Sequence, residues 1–256
     1  MKPFSICYDN ILDLSTAVVT ASSSAAEHAA TLVQSYRRGL SWQSVGVGSA
    51  WMRVAFGAVY RATKAILFDD NLTTSAVVSI KGSVDGVTWT DVLMTAEHPS
   101  VGYVVIPLGD EFTTYAHLEF GIVDPTNPDG FFEIGRVFIG TEIEAEQPYT
   151  YNYGWSEEFI CMDQTSVDEN GVATTIVHPG YDRYELTFER LPPAIQNRMK
   201  VCRRVCGNNR PMWISLVPDH EDDETLFYVQ FDSPSTRYEH PDFQQRSWQF
   251  QFRTVS

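Results

Sequence analysis

Apolar and polar residues alternate in two parts of the chain, and this alternation predicts β-strands in both. In the first part, from about Ser41 to Thr141, the strands are short and follow one another at regular spacing. Gly, Pro, Asn and Asp fill the segments between them, which is typical of a β-sandwich. The strands predicted here cover residues 51–56, 76–83, 103–107, 116–122 and 132–140.

The stretch IKGSVDGVTWTDV, residues 80–92, predicts a β-hairpin. Asp85 and Gly86 lie between β-branched residues, which is the strongest short-range hairpin pattern. The two central residues of the expected type I′ turn both need a positive φ angle. The sequence therefore predicts a two-residue turn at this point.

The second part of the chain predicts a smaller β domain with one helix. Strands are expected at 184–189, 213–217, 226–231 and 247–254. Residues 191–207 predict a short helix, because proline stands at its start and Gly207 stands where a C-terminal cap belongs. Its apolar stripe is expected to contain Ile195, Met199, Cys202 and Cys206. Charge and proline interrupt the pattern near EIEAEQP, residues 142–148, so the domains are placed at 1–146 and 147–256.

Composition limits the classes of function. The chain has 256 residues, with 33 acidic against 18 basic side chains and a net charge of −15. Such a surface repels phosphate, so no specific nucleic-acid binding is expected. No apolar run approaches 18 residues, so no membrane insertion is expected. The first residues lack a signal-peptide pattern, and the four cysteines are irregularly spaced, which indicates folding in a reducing compartment.

No catalytic motif is present in the sequence. There is no H-E-x-x-H pair, no G-x-S-x-G elbow and no phosphate-binding loop of the Walker type. We therefore predict that the chain is not an enzyme and needs no cofactor. A hydrolase carrying an accessory sandwich would require a catalytic constellation that the sequence does not contain.

Three groups of residues could bind a cation, and each has a plainer interpretation. The acidic stretch PDHEDDET, residues 218–225, and the run 69–71 offer oxygen ligands, but the spacing within the acidic stretch matches no calcium loop. We expect the acidic stretch to be a solvated hairpin tip or a contact to a neighbouring subunit. Cys7, Cys161, Cys202 and Cys206 could hold zinc or a cluster, but Cys202 and Cys206 fall on the apolar stripe of the helix.

The six tryptophans raise the possibility of sugar stacking. Most of them lie within alternating strands, where packing in the core is expected. Trp42 and Trp155 stand in loop-like surroundings. These two are the candidate ligand-binding residues.

The first 140 residues resemble the discoidin-type, galactose-binding-like β-sandwich. The residues that carry the resemblance are Trp42-x-Ser44, Trp51-x-Arg53-Val54-x-Phe56-Gly57, the Gly82-Ser83-x-Asp85-Gly86-x-Thr88-Trp89 hairpin and the stretch Ile134–Gly140. The resemblance implies a jelly-roll sandwich for the N-terminal domain of an all-β protein. Ala55 stands where the family often has Asp, and Cys7 lacks a cysteine partner near residue 140, which weakens the extracellular, sugar-binding form of the family.

The second half resembles distal-tail or baseplate proteins of long-tailed bacteriophages. The resemblance rests on the join from Ile139-Gly140 to Tyr153-Gly154-Trp155-Ser156, on the helix, and on Gly207-Asn208-Asn209-x-Pro211 with the strand that follows. It implies a structural virion protein at the tail tip, assembled in the host bacterial cytoplasm. It further implies a homo-oligomer, a six-fold ring, that contacts tail tube, tape-measure, hub and fibre proteins. The alternative is a carbohydrate-binding module for a cell-surface glycan.

Overall fold

A computed structural model of the chain describes residues 4–90, 94–97, 102–108, 115–144, 153–167, 169–170, 172–189, 192–216, 226–232, 237–242 and 245–255. The acidic stretch 218–225 lies outside the described residues. In chain order the strands are β1 (Ser5–Cys7), β2 (Val18–Ala21), β3 (Trp42–Gln43), β4 (Gly48–Ala55), β5 (Lys64–Asp70), β6 (Val77–Ser83), β7 (Met94–Glu97), β8 (Tyr103–Pro107), β9 (His117–Asp124), β10 (Glu133–Gly140), β11 (Glu142–Glu144), β12 (Tyr153–Ile160), β13 (Gln164–Val167), β14 (Ala173–Ile176), β15 (Tyr181–Glu189), β16 (Met212–Ser215), β17 (Leu226–Phe231), β18 (Arg237–Asp242) and β19 (Gln245–Thr254). The helix α1 spans Pro193–Cys206, and short 3₁₀ turns span Ile11–Asp13 and Ala30–Gln34.

The described chain divides into two compact units. The sandwich unit comprises the described residues from 7 to 142, and the C-terminal unit comprises residues 4–6 and the described residues from 143 onward. The pattern along the sequence places this boundary after residue 146, and packing places it after residue 142. The strand content and the one α-helix of the described residues confirm the predicted all-β class.

The sandwich unit is built from two antiparallel sheets around one core. Their strand orders are β2-β4-β9-β6-β7 and β3-β10-β5-β8. Alternate residues of each strand point inward, as in β4, where Met52 and Val54 are fully buried. They pack in the same cluster as Phe120 of β9 and Leu67 of β5. The β-sandwich predicted for this part is confirmed.

The strand β5 is absent from the sequence-based prediction. Four successive residues, from Lys64 to Leu67, are buried, because neighbouring elements cover both faces of this strand. A strand buried on both faces shows no alternation of apolar and polar residues. Its pairing with β10 and β8 places it in the middle of the four-stranded sheet.

The segment after β6 differs from the predicted two-residue turn. β6 pairs with β7 between Val77–Ile80 and Met94–Glu97, so the hairpin loop is far longer than two residues. Of the two central residues, only Gly86 has a positive φ angle, of 74°. The prediction of a type I′ turn was wrong, because the Asp85 side chain organises this loop through hydrogen bonds instead.

The C-terminal unit contains a large sheet with the order β11-β1-β16-β17-β19-β15-β12, and β18 pairs with β19. The helix α1 buries Gln196, Met199, Cys202 and Cys206. Gln196 thus takes the place predicted for Ile195, which is half-buried. Gly207 caps the helix, and its N–H donates to the Arg203 carbonyl oxygen.

Candidate functional site

The outer face of the five-stranded sheet in the sandwich unit carries an arginine between two tryptophan rings. The guanidinium carbon of Arg53 lies 4.1 Å from the Trp51 ring centroid and 4.7 Å from the Trp89 ring centroid. Trp51 and Arg53 are two residues apart on β4, so they lie on the same face. Both tryptophans are half-buried and remain accessible from solvent. We refer to Trp51, Arg53, Trp89, Glu119 and Lys81 as the arginine–tryptophan face.

Glu119 holds the charged part of this face in place. It stands opposite Arg53 on one side and Lys81 on the other. Arg53 Nε donates to Glu119 Oε2 at 2.7 Å, and Lys81 Nζ lies 3.5 Å from Oε1. The Glu119 side chain is only 8% exposed, so its negative charge depends on these two cations.

The loop after β6 positions Trp89 on this face. Asp85 Oδ1 accepts hydrogen bonds from the backbone N–H groups of Val87 and Thr88, at 2.9 and 2.8 Å. Ser83 Oγ donates to the Thr88 carbonyl oxygen at 2.7 Å and accepts from the Gly86 N–H. These backbone hydrogen bonds, first from Thr88 and then from Val87, lower the pKa of Asp85 to about 2. The loop is therefore organised around a carboxylate rather than around a tight turn.

Trp42 has no accessible surface. It lies on β3, and its Nε1–H donates to the Ser23 carbonyl oxygen at 2.9 Å. A ring that is buried in the core does not contact a surface ligand. The expectation of a loop position and a ligand contact for Trp42 was wrong, since Trp42 is a structural residue of the sandwich.

Trp155 is 46% exposed and lies on β12 rather than in a loop. It belongs to the C-terminal unit, whereas Trp42 belongs to the sandwich unit, and the two do not form one binding surface within either unit. β12 forms the end of its sheet, with β15 as its neighbour. Trp155 pairs with Leu186, which is fully buried, so the apolar face of the sheet becomes uncovered at this last strand.

The residues that follow also carry exposed apolar side chains. We define the arm as residues 155–180, which contain most of β12 and the two-stranded sheet β13-β14. Every described side chain of the arm is exposed, apart from half-buried Ile160 and Gly180. Large apolar residues are nonetheless frequent within it: Trp155, Phe159, Met162, Val167, Val172, Ile176 and Val177.

The contacts at the base of the arm are specific. The Phe159 ring lies over Gly180, where a Cβ atom would come within 2.3 Å of Phe159 Cζ. Tyr184 of β15 donates its hydroxyl hydrogen to Glu157 at 3.1 Å. Burial, and then this hydrogen bond, raises the pKa of Tyr184. In the rest of the arm, the side chains of the two-stranded sheet β13-β14 are all exposed. A two-stranded sheet is only marginally stable in water without further packing.

The candidate cation ligands are engaged in other interactions. Arg38 binds the Asp69 carboxylate with two hydrogen bonds, Asp70 Oδ1 accepts from the Leu72 N–H, and Asn71 Nδ2 donates to the Phe131 carbonyl oxygen. Cys202 and Cys206 face the interior of the C-terminal unit, and Cys161 is exposed on the arm. Within the described ranges no three His, Cys, Asp or Glu side chains form a metal-binding group.

Two further observations concern the described part of the chain. The C-terminal unit has an open cleft of about 250 Å³ lined by Tyr181, Gln230 and Arg253 among other residues. The guanidinium group of Arg253 faces the Gln230 amide, and its central carbon lies 6.0 Å from the Tyr181 ring centroid. No helix among the described residues has the length and hydropathy of a membrane span.

Comparisons with known proteins concern the sandwich. No family model and no curated protein matches the sequence. The CBM32-5 module of the family 89 glycoside hydrolase from Clostridium perfringens, in complex with GalNAc-β-1,3-galactose, shares 12% identity over 52% of this chain and 99% of that chain, with a TM-score of 0.44. Chitosan-binding module 1 of a chitosanase/glucanase from Paenibacillus sp. IK-5 shares 19% identity over 52% of this chain and 98% of that chain, with a TM-score of 0.44.

A third similar structure is CBM32-3 from a family 31 glycoside hydrolase of Clostridium perfringens, with 15% identity, coverage of 50% of this chain and 93% of that chain, and a TM-score of 0.43. All three TM-scores are below 0.5. The β-sandwich assignment therefore rests on the strand order and pairing of this chain, and its ligand is not inferred from these structures.

The sequence-based candidates missed Trp51 and Trp89, which reach the surface of the sandwich unit. The alternation in β4 contains the information, because Ala50, Met52 and Val54 form the apolar set, so Trp51 and Arg53 belong to the opposite face. The arginine–tryptophan face offers flat rings and charged hydrogen-bonding groups side by side. The arm offers large apolar side chains that are exposed to solvent. The first arrangement suits a polar ligand with a flat apolar side, and the second suits another protein.

Proposed function

We propose that the chain is a non-enzymatic structural protein that assembles with copies of itself through the arm. The observation that carries this proposal is the exposure of seven large apolar side chains within residues 155–177. Large apolar side chains that are exposed together in one segment are typical of interaction sites in folded proteins. Trp155 and Phe159 lie on one face of β12, whereas Val167 and Ile176 lie on opposite faces of the β13-β14 sheet. Phe159 is 65% exposed and Val177 is 77% exposed, and burying them against a partner would remove this surface from water.

The backbone of the arm supports the same proposal. β12 is a terminal strand of its sheet, and an open strand edge can pair with another chain. The sheet β13-β14 consists of two strands with exposed side chains, and contact with a partner would stabilise it.

The proposed setting is the tail tip of a long-tailed bacteriophage, which follows from the resemblance of the second half of the sequence to distal-tail proteins. There, copies of the chain would form a six-fold ring that joins the tail tube to hub, tape-measure and fibre proteins. The net charge of −15 suits a ring around a DNA passage, because it repels phosphate.

Mass photometry of the purified chain, alone and co-expressed with the products of the neighbouring genes, tests this proposal. We expect a closed oligomer under at least one of these conditions. A variant with Phe159→Ser and Val177→Ser should remain monomeric, and its melting temperature should change little because both side chains are exposed. A chain that stays monomeric under every condition, with no tail genes beside its own gene, would contradict the proposal.

A second candidate function is carbohydrate binding by the sandwich unit, and the arginine–tryptophan face favours it. Trp51 and Trp89 present ring surface beside Arg53, Lys81 and Glu119, and sugars combine apolar faces with hydroxyl groups that such residues can hydrogen-bond. A glycan array tests this candidate. Binding that is lost in Trp51→Ala and kept in Trp155→Ala would support it, and an array without any signal would contradict it.

A further inference from the structure

We propose that the arm of one copy docks on the exposed face of α1 in the next copy. This inference rests on the proposed self-assembly and adds the surface that receives the arm. The two surfaces carry opposite charge and are both apolar in part.

The arm is purely acidic among its formally charged residues. Residues 155–180 contain five carboxylates and neither Lys nor Arg: Glu157, Glu158, Asp163, Asp168 and Glu169. Phe159, Met162 and Val167 lie between these charges along the chain, and Trp155, Val172, Ile176 and Val177 flank them. A surface that accepts the arm must therefore provide both positive charge and apolar contact.

The helix α1 has this composition. It contains four basic residues and no acidic residue, namely Arg198, Lys200, Arg203 and Arg204. In a chain with 18 basic residues in total, this is a marked concentration over 14 residues. Val201 and Val205 are exposed to 46% and 42%, although valine is not favoured on the solvent side of a helix.

The positions on the helix place two of the four basic residues, Arg198 and Arg204, with the exposed valines, whereas Arg203 packs over the Phe231 ring of its own unit. Ala194, Arg198, Val201 and Val205 follow at spacings of four, three and four residues, which is one stripe of an α-helix. All four are exposed, and Arg204 lies beside this stripe. The adjoining stripe of α1, with Met199, Cys202 and Cys206, is buried, and the stripe with Ala194, Arg198, Val201 and Val205 faces solvent.

A contact between an arm and a helix joins two different surfaces. Such a contact is heterologous, and heterologous contacts close into rings when the rotation between neighbouring copies permits. A symmetric arm-to-arm contact would bring like charges together, which opposes association. The charge pattern therefore favours the helix of a second copy over the arm of a second copy.

Disulfide crosslinking between two differently labelled copies tests the inference directly. The first copy keeps Cys161, the exposed thiol on the arm, while Cys7, Cys202 and Cys206 are buried. The second copy carries Cys161→Ser together with Val205→Cys on α1. Under mild oxidation we expect a mixed dimer, because a disulfide forms only when the two Cα atoms come within about 7 Å. A second copy with Cys161→Ser and Val59→Cys is the matched control, since Val59 is exposed on the sandwich unit.

A second variant separates this inference from the proposed function. Val201→Asp with Val205→Asp should weaken self-association by about tenfold or more, because it places acidic groups against an acidic arm. Val59→Asp with Val84→Asp should leave association unchanged.

If the oligomer persists in the α1 variant and no mixed dimer forms, the receiving surface is wrong while self-assembly stands. If the wild-type chain never associates under any condition, both proposals fail. Binding of inorganic phosphate or DNA to α1 in place of the arm would also overturn the inference.

Discussion

The Arg53 guanidinium carbon lies 4.1 Å from the centroid of the Trp51 ring, on a sheet face that solvent reaches. The two residues are separated by inward-pointing Met52, which is fully buried. One strand therefore supplies both core and surface groups at successive positions. The same arginine donates to Glu119, so the charge on this face is fixed by a cross-strand pair rather than by a flexible side chain.

Replacing Arg53 by alanine should destabilise the sandwich unit. The Glu119 carboxylate is almost entirely buried, and among the described residues it would keep only the more distant Lys81 as a cation partner. We expect a loss of about 2 kcal/mol in the free energy of unfolding, measured by urea denaturation with tryptophan fluorescence. Lys81→Ala is the control, and because Lys81 is partly exposed it should cost less than about 1 kcal/mol. Equal losses in the two variants would show that Glu119 does not depend on Arg53.

Trp42 and Trp155 should respond to alanine substitution in opposite ways. Trp42→Ala leaves a large cavity in the core and should cost about 3–5 kcal/mol of unfolding free energy. Trp155→Ala should change the stability of the monomer by no more than about 0.5 kcal/mol, because the ring is half exposed. Thermal melting measures the first effect, and mass photometry should detect weaker association in the second variant. A large stability loss in Trp155→Ala would show that its ring packs within its own chain.

The sequence predicts those strands best that have one buried and one exposed face. β8 and β17 have the predicted bounds, and β4 and β9 lie within two or three residues of the predicted ends. β10 is an exception, because its bounds are predicted within one residue although both of its faces are buried. β5 shows no alternation because both of its faces are buried, and β12, β13 and β14 show none because their side chains are mostly exposed. Periodicity reports a difference between two faces, so it misses strands in which the faces are alike.

The candidate site was harder to predict than the fold. Trp42 and Trp155 were chosen because their neighbours lack a strand pattern, yet both lie on strands. Trp51 would have been found from the alternation of inward- and outward-facing positions along β4 alone. Trp89 could not have been found in this way, since its position depends on the hydrogen bonds that Asp85 and Ser83 make in the loop.

Arg136 ties the N-terminal segment to β10, and its replacement by lysine should be costly. It donates to Asp13 Oδ1 at 3.1 Å and to the Ser35 carbonyl oxygen at 2.7 Å, and its guanidinium carbon lies 4.2 Å from the Tyr36 ring centroid. Lysine cannot provide the planar fork, so we expect a loss of about 2 kcal/mol in urea denaturation. Arg38→Lys is the matched control at the exposed pair with Asp69, where the loss should stay below about 1 kcal/mol. If the two substitutions cost the same, burial of the Arg136 pair is not important.

The loop at Asp85 should keep its structure in moderately acidic solution. The pKa of Asp85 falls from 3.8 to about 2 because backbone N–H groups hydrogen-bond its charged form. Its contribution to stability is present above the ordinary pKa of 3.8 and is lost as the pH falls through about 2. Carboxyl NMR titration should give a midpoint near 2 for Asp85, and the Trp89 signals should change in the same range. Asp85→Asn should remove this transition, whereas a midpoint near 3.8 would show that the hydrogen bonds are not formed in solution.

Protease cleavage should distinguish the arm in a monomer from the arm in an assembly. Met162 lies in the exposed turn between β12 and β13, whereas the backbone of β12 is paired with β15. Chymotrypsin cleaves at large apolar residues in accessible backbone, so in dilute, monomeric protein we expect early cleavage at Met162 and its neighbours in this turn, identified by mass spectrometry. Assembly should protect these sites, because the arm then lies against α1 of the neighbouring copy. The Val201→Asp and Val205→Asp variant should remain cleavable at concentrations at which the wild-type chain is protected. Cleavage at the same rate in monomer and oligomer would mean that the copies associate through a surface other than the arm.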